Sequence, residues 1–135
     1  MKISRATVCV QVRGNFLECF EFYTKKMGFI PCGDGSGVYE TFKTCEDSEP
    51  FFAIYKAEEA AKKIAKYVLP DNTKPSDTLT AVFHTLDFES EHNRLLEAGV
   101  EFIDKTVYSG DGWSFNMAYF RDTEGNLLSI EDGGV

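Results

Sequence analysis

The chain repeats one pattern of elements twice, and this repeat limits the fold more tightly than any single motif. A shift of 76 residues lays PFFAIYK (50–56) on NLLSIED (126–132). Phe51 then falls on Leu127, Phe52 on Leu128, Ala53 on Ser129, Ile54 on Ile130 and Tyr55 on Glu131. A shift of 73 lays Thr7 on Thr80 and Gln11 on His84. The two shifts differ, so the intervening loops must differ in length. Identity is low, and the order of elements carries the repeat.

Residues 3–12 alternate. Ile3, Ala6, Val8, Val10 and Val12 suit one environment and Thr7, Cys9 and Gln11 the other, which predicts a strand. Gly14-Asn15 breaks it, and Asn15 can cap a helix with Glu18 three residues on. Phe16, Phe20, Tyr23 and Met27 recur at helical spacing, so a helix is predicted over 16–27, stopped by Gly28. FIPCG (29–33) and GVYETFK (37–43) read as strands joined by GDGSG, and PFFAIY (50–55) as a fourth. Parity within 37–43 leaves Tyr39/Thr41 and Glu40/Phe42 as alternative inward pairs.

The second half follows the same order. Leu79–Thr85 is a strand, Asp87 caps a helix running to about Leu96–Ala98, and Gly99 stops it. Val100–Tyr108 is a strand interrupted by Asp104 and Lys105, and SGDG matches GDGSG. Trp113–Phe120 and Leu127–Glu131 complete the module, with Gly125-Asn126 as the turn between them. Between the halves, AEEAAKKIAKYV (57–68) reads as a weakly amphipathic surface helix whose charge order complements the helix dipole. LPDNTKPSDT (69–78) reads as a linker.

The expected fold is α+β: two βαβββ modules forming an open, trough-like mixed β-sheet with helices on the outer face. Residues 1–135 would be a single domain, with module one at about 1–56, a linker with helix at about 57–77, and module two at about 78–135. One helix per module covers one sheet face. Alternate strand positions are left to line a concavity for something small.

A net charge of −8 argues against non-specific nucleic-acid binding and against docking on anionic membranes. It is compatible with a cationic ligand, but reads first as a solvated acidic surface that keeps the protein in solution. No stretch approaches the ~18 apolar residues of a membrane span. MKISRATVCVQV reads as a first strand, so a cytoplasmic protein is expected. Cys9, Cys19, Cys32 and Cys45 contain no CxxC pair, and Cys9 and Cys19 read as small buried hydrophobes in a reducing compartment.

The paired βαβββ pattern, FEFYTKKMGF after the first strand, LLEAGVEF after the second helix and the closing YFRDTEGNLLSIED together resemble the vicinal oxygen chelate superfamily. Its members include glyoxalase I, extradiol dioxygenases, fosfomycin-resistance enzymes and bleomycin-resistance proteins. The resemblance spans nearly the whole chain apart from 57–77. It implies a trough that, in the enzymes, holds one divalent metal through His, Gln or Glu ligands from the first and last strand of each module. Carried over residue by residue, those positions fall on Thr7 (or Val8), Ala53, Thr80 and Ser129. Ser129 stands where a GNxxE segment would place its glutamate. Alanine and valine have no donor atom, and neutral Thr and Ser hydroxyls are weak ligands without carboxylate or imidazole company.

Gln11, His84 and Glu131 could rebuild a set at one end of the trough, although His84 reads first as an ordinary hydrogen-bonded strand histidine. His92, in EHNR, is expected to be exposed. No serine sits in a G-x-S-x-G elbow, and a Cys9–His84 pair has no evident third residue to orient it. Strand parity places Leu127 and Glu131 with Ser129, and makes Trp113, Phe115, Met117 and Tyr119 one row. That row is either trough lining or core. Trp113 is the candidate for stacking on a planar or cationic ligand, and Tyr55 is expected inward. Thr7, Cys9, Gln11, Ala53, Tyr55, Thr80, His84, Trp113, Phe115, Met117, Tyr119, Ser129 and Glu131 are therefore the candidate ligand-binding residues. By its resemblance to the bleomycin-resistance branch, the expectation is a metal-independent, homodimeric protein that uses no cofactor and sequesters a small aromatic or cationic compound. The alternative is a divergent metal-dependent lyase or dioxygenase with a displaced metal site.

Overall fold

A computed structural model describes residues 2–33, 35–71 and 77–133. The chain divides into two compact units, Met1–Lys74 and Pro75–Val135. The boundary falls in the segment expected to be a linker, of which residues 72–76 lie outside the described residues. Hydrogen bonding divides the strands into two four-stranded mixed sheets, one per unit, and the α+β class with two βαβββ modules stands.

The first unit runs β1 (Val8–Val12), α1 (Phe16–Glu21) with a π-helical continuation (Phe22–Lys26), β2 (Ile30–Pro31), β3 (Tyr39–Lys43), β4 (Phe52–Lys56) and α2 (Ala57–Ala61). The strand order is β1-β4-β3-β2, with β1 parallel to β4. The first strand is shorter than the predicted 3–12. Val8 pairs with Phe52, and Thr7 lies outside the strand, exposed. The next amide that β1 would need, Phe51 N–H, donates to Phe42 O instead.

Asn15 caps α1 as expected, its Oδ1 accepting from the Glu18 amide at 3.0 Å. The regular helix predicted over 16–27 instead widens at Phe22. That wider turn allows two consecutive residues, Phe22 and Tyr23, to be buried together. Tyr23 packs on Phe52 with ring centroids 4.9 Å apart and on Phe42 at 5.8 Å. Burying each such ring is worth roughly 1.5–3 kcal/mol. Glu40 and Phe42 share the helix side of β3, which leaves Tyr39 and Thr41 on the other face.

The predicted surface helix over 57–68 ends at Ala61, and Ala57 and Ala60 are fully buried. Alanine is small enough to let α2 lie against β4 and β1. The chain then turns through Lys66, the one described non-glycine residue at positive φ (59°).

The second unit runs β5 (Ala81–His84), α3 (Phe88–Glu97), β6 (Phe102–Gly110), β7 (Trp113–Arg121) and β8 (Leu127–Glu131), with strand order β5-β8-β7-β6. Thr80 lies just before β5 and is exposed. Asp87 caps α3 through the Ser90 amide at 3.1 Å. Phe88, His92 and Leu95 form the buried face of α3. His92 is therefore not exposed as expected: its ring stacks on Phe102 at 4.3 Å and on Phe88 at 5.7 Å. The Asp104/Lys105 interruption in the sequence is a β-bulge, where the ladder shifts between Phe102 and Asp104. The closing turn is tied by Asp122, whose Oδ1 accepts from the Glu124 and Asn126 amides at 2.9 Å each. Gly125 supplies its positive φ of 82°. Arg121 clasps the turn from outside, donating to Gly125 O and to both Asp77 oxygens.

Of the four cysteines only Cys19 is buried; Cys9, Cys32 and Cys45 are exposed free thiols. Cys9 was expected to be buried, but its side of β1 carries no helix. Among the described residues no helix is long and apolar enough to cross a membrane.

Candidate functional site

Each sheet has a helix-covered face and a second face, and the candidate residues gather on the second. In the second unit Ala118, Phe120, Leu128 and Ile130 pack on the helix side and are buried. Between them, with opposite parity, stand the residues of the other face. Tyr119 lies opposite Ser129, Met117 opposite Glu131, and Arg121 opposite Leu127. Across the parallel pair, Val82 lies opposite Ser129 and His84 opposite Glu131. Phe115, Met117 and Tyr119 are half-buried, while Trp113 is 54% exposed. The row expected to be either lining or core thus stands apart from the Phe120 core.

The rings at the far end of this face are held in a defined stack. Phe115 lies between Tyr108 (5.3 Å, 22°) and Trp113 (6.0 Å, 21°). Two glycines make the seats. A Cβ on Gly110 would stand 2.5 Å from the Trp113 ring, and one on Gly133 would stand 2.7 Å from the Phe115 ring. Near them His84 Nδ1 lies 3.1 Å from Gly133 O and 3.2 Å from Glu131 Oε1. Both neighbours are acceptors, so Nδ1 carries the proton. Burial, then the nearby Tyr108, push the Tyr119 phenol above its ordinary range. Ser129 is fully buried, and among the described residues its Oγ has no hydrogen-bond partner.

The corresponding face of the first unit carries Cys9 opposite Ala53, and Gln11 opposite Tyr55. Tyr39 packs edge-on against Tyr55 at 5.4 Å. Tyr67, beyond α2, reaches this face: its hydroxyl donates to Gln11 Oε1 at 3.0 Å, and Gln11 Nε2 donates to Cys9 Sγ at 3.6 Å. Arg13 fixes the same segment by donating to Pro70 O at 2.5 Å. Cys9 is exposed as a residue, yet partial desolvation pushes its thiol up; burial likewise pushes the Tyr67 phenol up, aided by Cys9 and opposed by Arg13. Cys9 therefore rests as a thiol, a poor nucleophile.

Two residues of these faces were missed in the sequence. Tyr67 sat in a segment read as a surface helix. Tyr108 ends a predicted strand, and the ladder sets it opposite Phe115.

The metal set that the resemblance implies needs carboxylate or imidazole donors at these positions. Ala53 and Val8 offer no donor atom, and Thr7, Thr80 and Ser129 offer only neutral hydroxyls. Among the described residues no group of three or more His, Cys, Asp or Glu is placed to hold a metal ion. The residues do not fit the family's chelating set. His84 and Glu131 are brought together, and Gln11 belongs to the other unit.

Comparison with known proteins gives a consistent result. The family model described as "Glyoxalase/Bleomycin resistance protein/Dioxygenase superfamily" matches residues 6–130. The uncharacterized protein YurT of Bacillus subtilis (strain 168) is 31% identical, over 96% of this chain and 98% of its own length. A protein of unknown function from Agrobacterium tumefaciens str. C58 has a similar structure, with a TM-score of 0.75 at 16% identity over 98% of this chain and 96% of that one. A glyoxalase/bleomycin resistance protein/dioxygenase from Nocardioides gives a TM-score of 0.71 at 20% identity, over 100% and 89% of the two chains. At these identities the structural likenesses show the fold alone.

Proposed function

The chain belongs to the glyoxalase/bleomycin resistance protein/dioxygenase superfamily, and from that premise we propose that it binds a small organic molecule, aromatic or cationic, without a metal. The observation that carries this reading is the donor set. The positions that would chelate carry Thr7, Ala53, Thr80 and Ser129, and no three ligating side chains converge among the described residues.

What the helix-free faces offer instead is apolar and aromatic surface with a few polar ends, the usual make-up of a small-molecule site. In the second unit the stacked rings Tyr108, Phe115 and Trp113 supply aromatic surface, most of it on the exposed Trp113. The acidic balance of the chain, −8, favours a cation over an anion as the molecule drawn in. The protein would act by sequestration, as a homodimer in the cytoplasm. A displaced metal site in a lyase or dioxygenase would need a third donor beside His84 and Glu131.

A thermal-shift panel of aromatic, cationic antibiotics tests the proposal. A ligand present at one hundred times its Kd stabilises the folded state by about 2.7 kcal/mol, a shift of several degrees. A panel without a single shift counts against it. Elemental analysis of the purified protein is the companion measurement. Stoichiometric Ni, Zn, Mn or Fe that also stabilises the fold would favour the enzyme reading.

A further inference from the structure

The second sheet ends in a long, bare strand. Among the described residues four strands lie at a sheet edge: β1, β2, β5 and β6. β2 has two residues, one of them Pro31, while β1 and β5 have five and four. β6 has nine. A free edge offers its N–H and C=O groups to any strand that can reach it, and charges, prolines and bulges are the usual guards. The guards of β6 stand only at its start. The bulge between Phe102 and Asp104 lies there, followed by the charges of Asp104 and Lys105. From Thr106 to Gly110 the strand has no charge, no proline and no break in its ladder to β7.

Apolar surface is bare along the same stretch. β8 pairs with β7 from Met117 to Arg121, and Asp132 holds Asn116. Beyond Asn116 the β6–β7 hairpin is, among the described residues, a ribbon of two strands. Such a ribbon is marginal in water by itself. Val107 is 63% exposed, Tyr108 39% and Trp113 54%. The Trp113 ring leans over the edge strand, so close to Gly110 that a Cβ there would stand 2.5 Å away.

Charge and symmetry select the occupant. The chain carries −8, so a second copy is repelled by most of its surface and approaches best at an uncharged strip. A basic partner would be drawn to the acidic surface instead. Antiparallel pairing of β6 with itself about Val107 sets Val107 against Val107 of the second copy. Thr106 then faces Tyr108, Lys105 faces Ser109 and Asp104 faces Gly110, so no like charges stand opposite each other. The contact is self-complementary, as a two-fold interface must be.

We propose that Thr106–Gly110 is the contact through which two copies of this chain pair, β6 to β6, joining their second sheets into one. This rests on the homodimer proposed above and names its interface. A two-fold axis normal to the sheet keeps both helix-free faces on the same side. The Tyr108–Phe115–Trp113 stacks of the two copies then stand on either side of the axis, on one continuous face.

Cross-linking reads the contact directly. The exposed Cys9, Cys32 and Cys45 are replaced by serine, and single cysteines are then introduced. Val107→Cys puts two thiols at the axis, where Cβ atoms of directly opposite residues lie ~4.5–5.5 Å apart. Val68→Cys, at a more exposed valine (86%) of the first unit, reports random collision. On mild oxidation in cell extract, Val107→Cys should give a species of twice the chain mass and Val68→Cys should not. Equal cross-linking of the two, or none, overturns the inference. So does a product of any other mass, since the edge then has another occupant. Val107→Lys sets like charges at the axis, and in sedimentation velocity it should lose the dimer that wild type forms. A Val107→Lys protein that stays dimeric overturns the inference and leaves the homodimer resting on another surface. A wild type that is monomeric at every concentration up to about 1 mM overturns both, and the binding function is then judged on the thermal-shift panel. Circular dichroism of each variant separates loss of the contact from loss of the fold.

Discussion

At the residue scale, Ser129 is where sequence and structure meet most sharply. The segment Gly125-Asn126-Leu127-Leu128-Ser129 gives its position and shows the missing carboxylate without any coordinates. The sequence does not show that the hydroxyl is fully buried and unpartnered among the described residues, because its cross-strand neighbours, Val82 and Tyr119, come from other strands. An unpaired buried hydroxyl costs on the order of 1–3 kcal/mol. Ser129→Ala should therefore be neutral or stabilising by up to about 1 kcal/mol in urea denaturation, and a loss of that size would show a hidden partner. Ser129→Glu should destabilise by several kcal/mol, because a buried carboxylate without a partner carries a large desolvation cost.

His92 was misread because its neighbours in sequence, Glu91, Asn93 and Arg94, are polar, while Phe102, its actual neighbour, comes from another element. Its pKa is lowered by burial and by Lys105, with Glu89 opposing. The fold thus favours the neutral ring. The stabilising contribution is complete above the unfolded value near 6.5 and is lost as pH falls through the lower folded value. His92→Phe should flatten the acid limb of the stability profile; an unchanged limb would mean that the ring is not held neutral.

At the element scale, the regular elements were legible because their periodicity is strong. Phe88, His92 and Leu95 follow the helical spacing that Asp87 announces, and the Asp104/Lys105 break in β6 marks a real bulge. The segment after β4 was not legible. Its alanines give helix propensity but no strong apolar stripe, and its use is decided by contacts distant in sequence: Ala57 and Ala60 against the sheet, Tyr67 on Gln11, Pro70 on Arg13. Two outcomes follow. Tyr67→Phe should cost about 1 kcal/mol or less in thermal denaturation, the worth of one ordinary hydrogen bond. Lys66→Gly should stabilise by up to about 1 kcal/mol, since glycine adopts φ of 59° without the Cβ clash. Destabilisation by Lys66→Gly would show that the lysine side chain holds the turn.

At the scale of the whole molecule, the repeat foretold two βαβββ modules, and each forms its own four-stranded sheet. The pattern separates the Phe120 row from the Trp113 row without deciding which is core, and the structure puts Ala118 and Phe120 under the helix with the Trp113 row opposite. What the pattern could not give is the company each side chain keeps. The His84–Glu131–Gly133 arrangement needs two parallel strands in register and a turn of chain beyond the second, and no local spacing encodes it.

Metal-independent binding is tested most directly by the melting temperature of the protein with an aromatic ligand from the panel, recorded before and after exhaustive chelation. The ligand-induced rise should be the same in both samples. A rise that disappears on chelation and returns with Ni, Zn, Mn or Fe would contradict metal-independent binding.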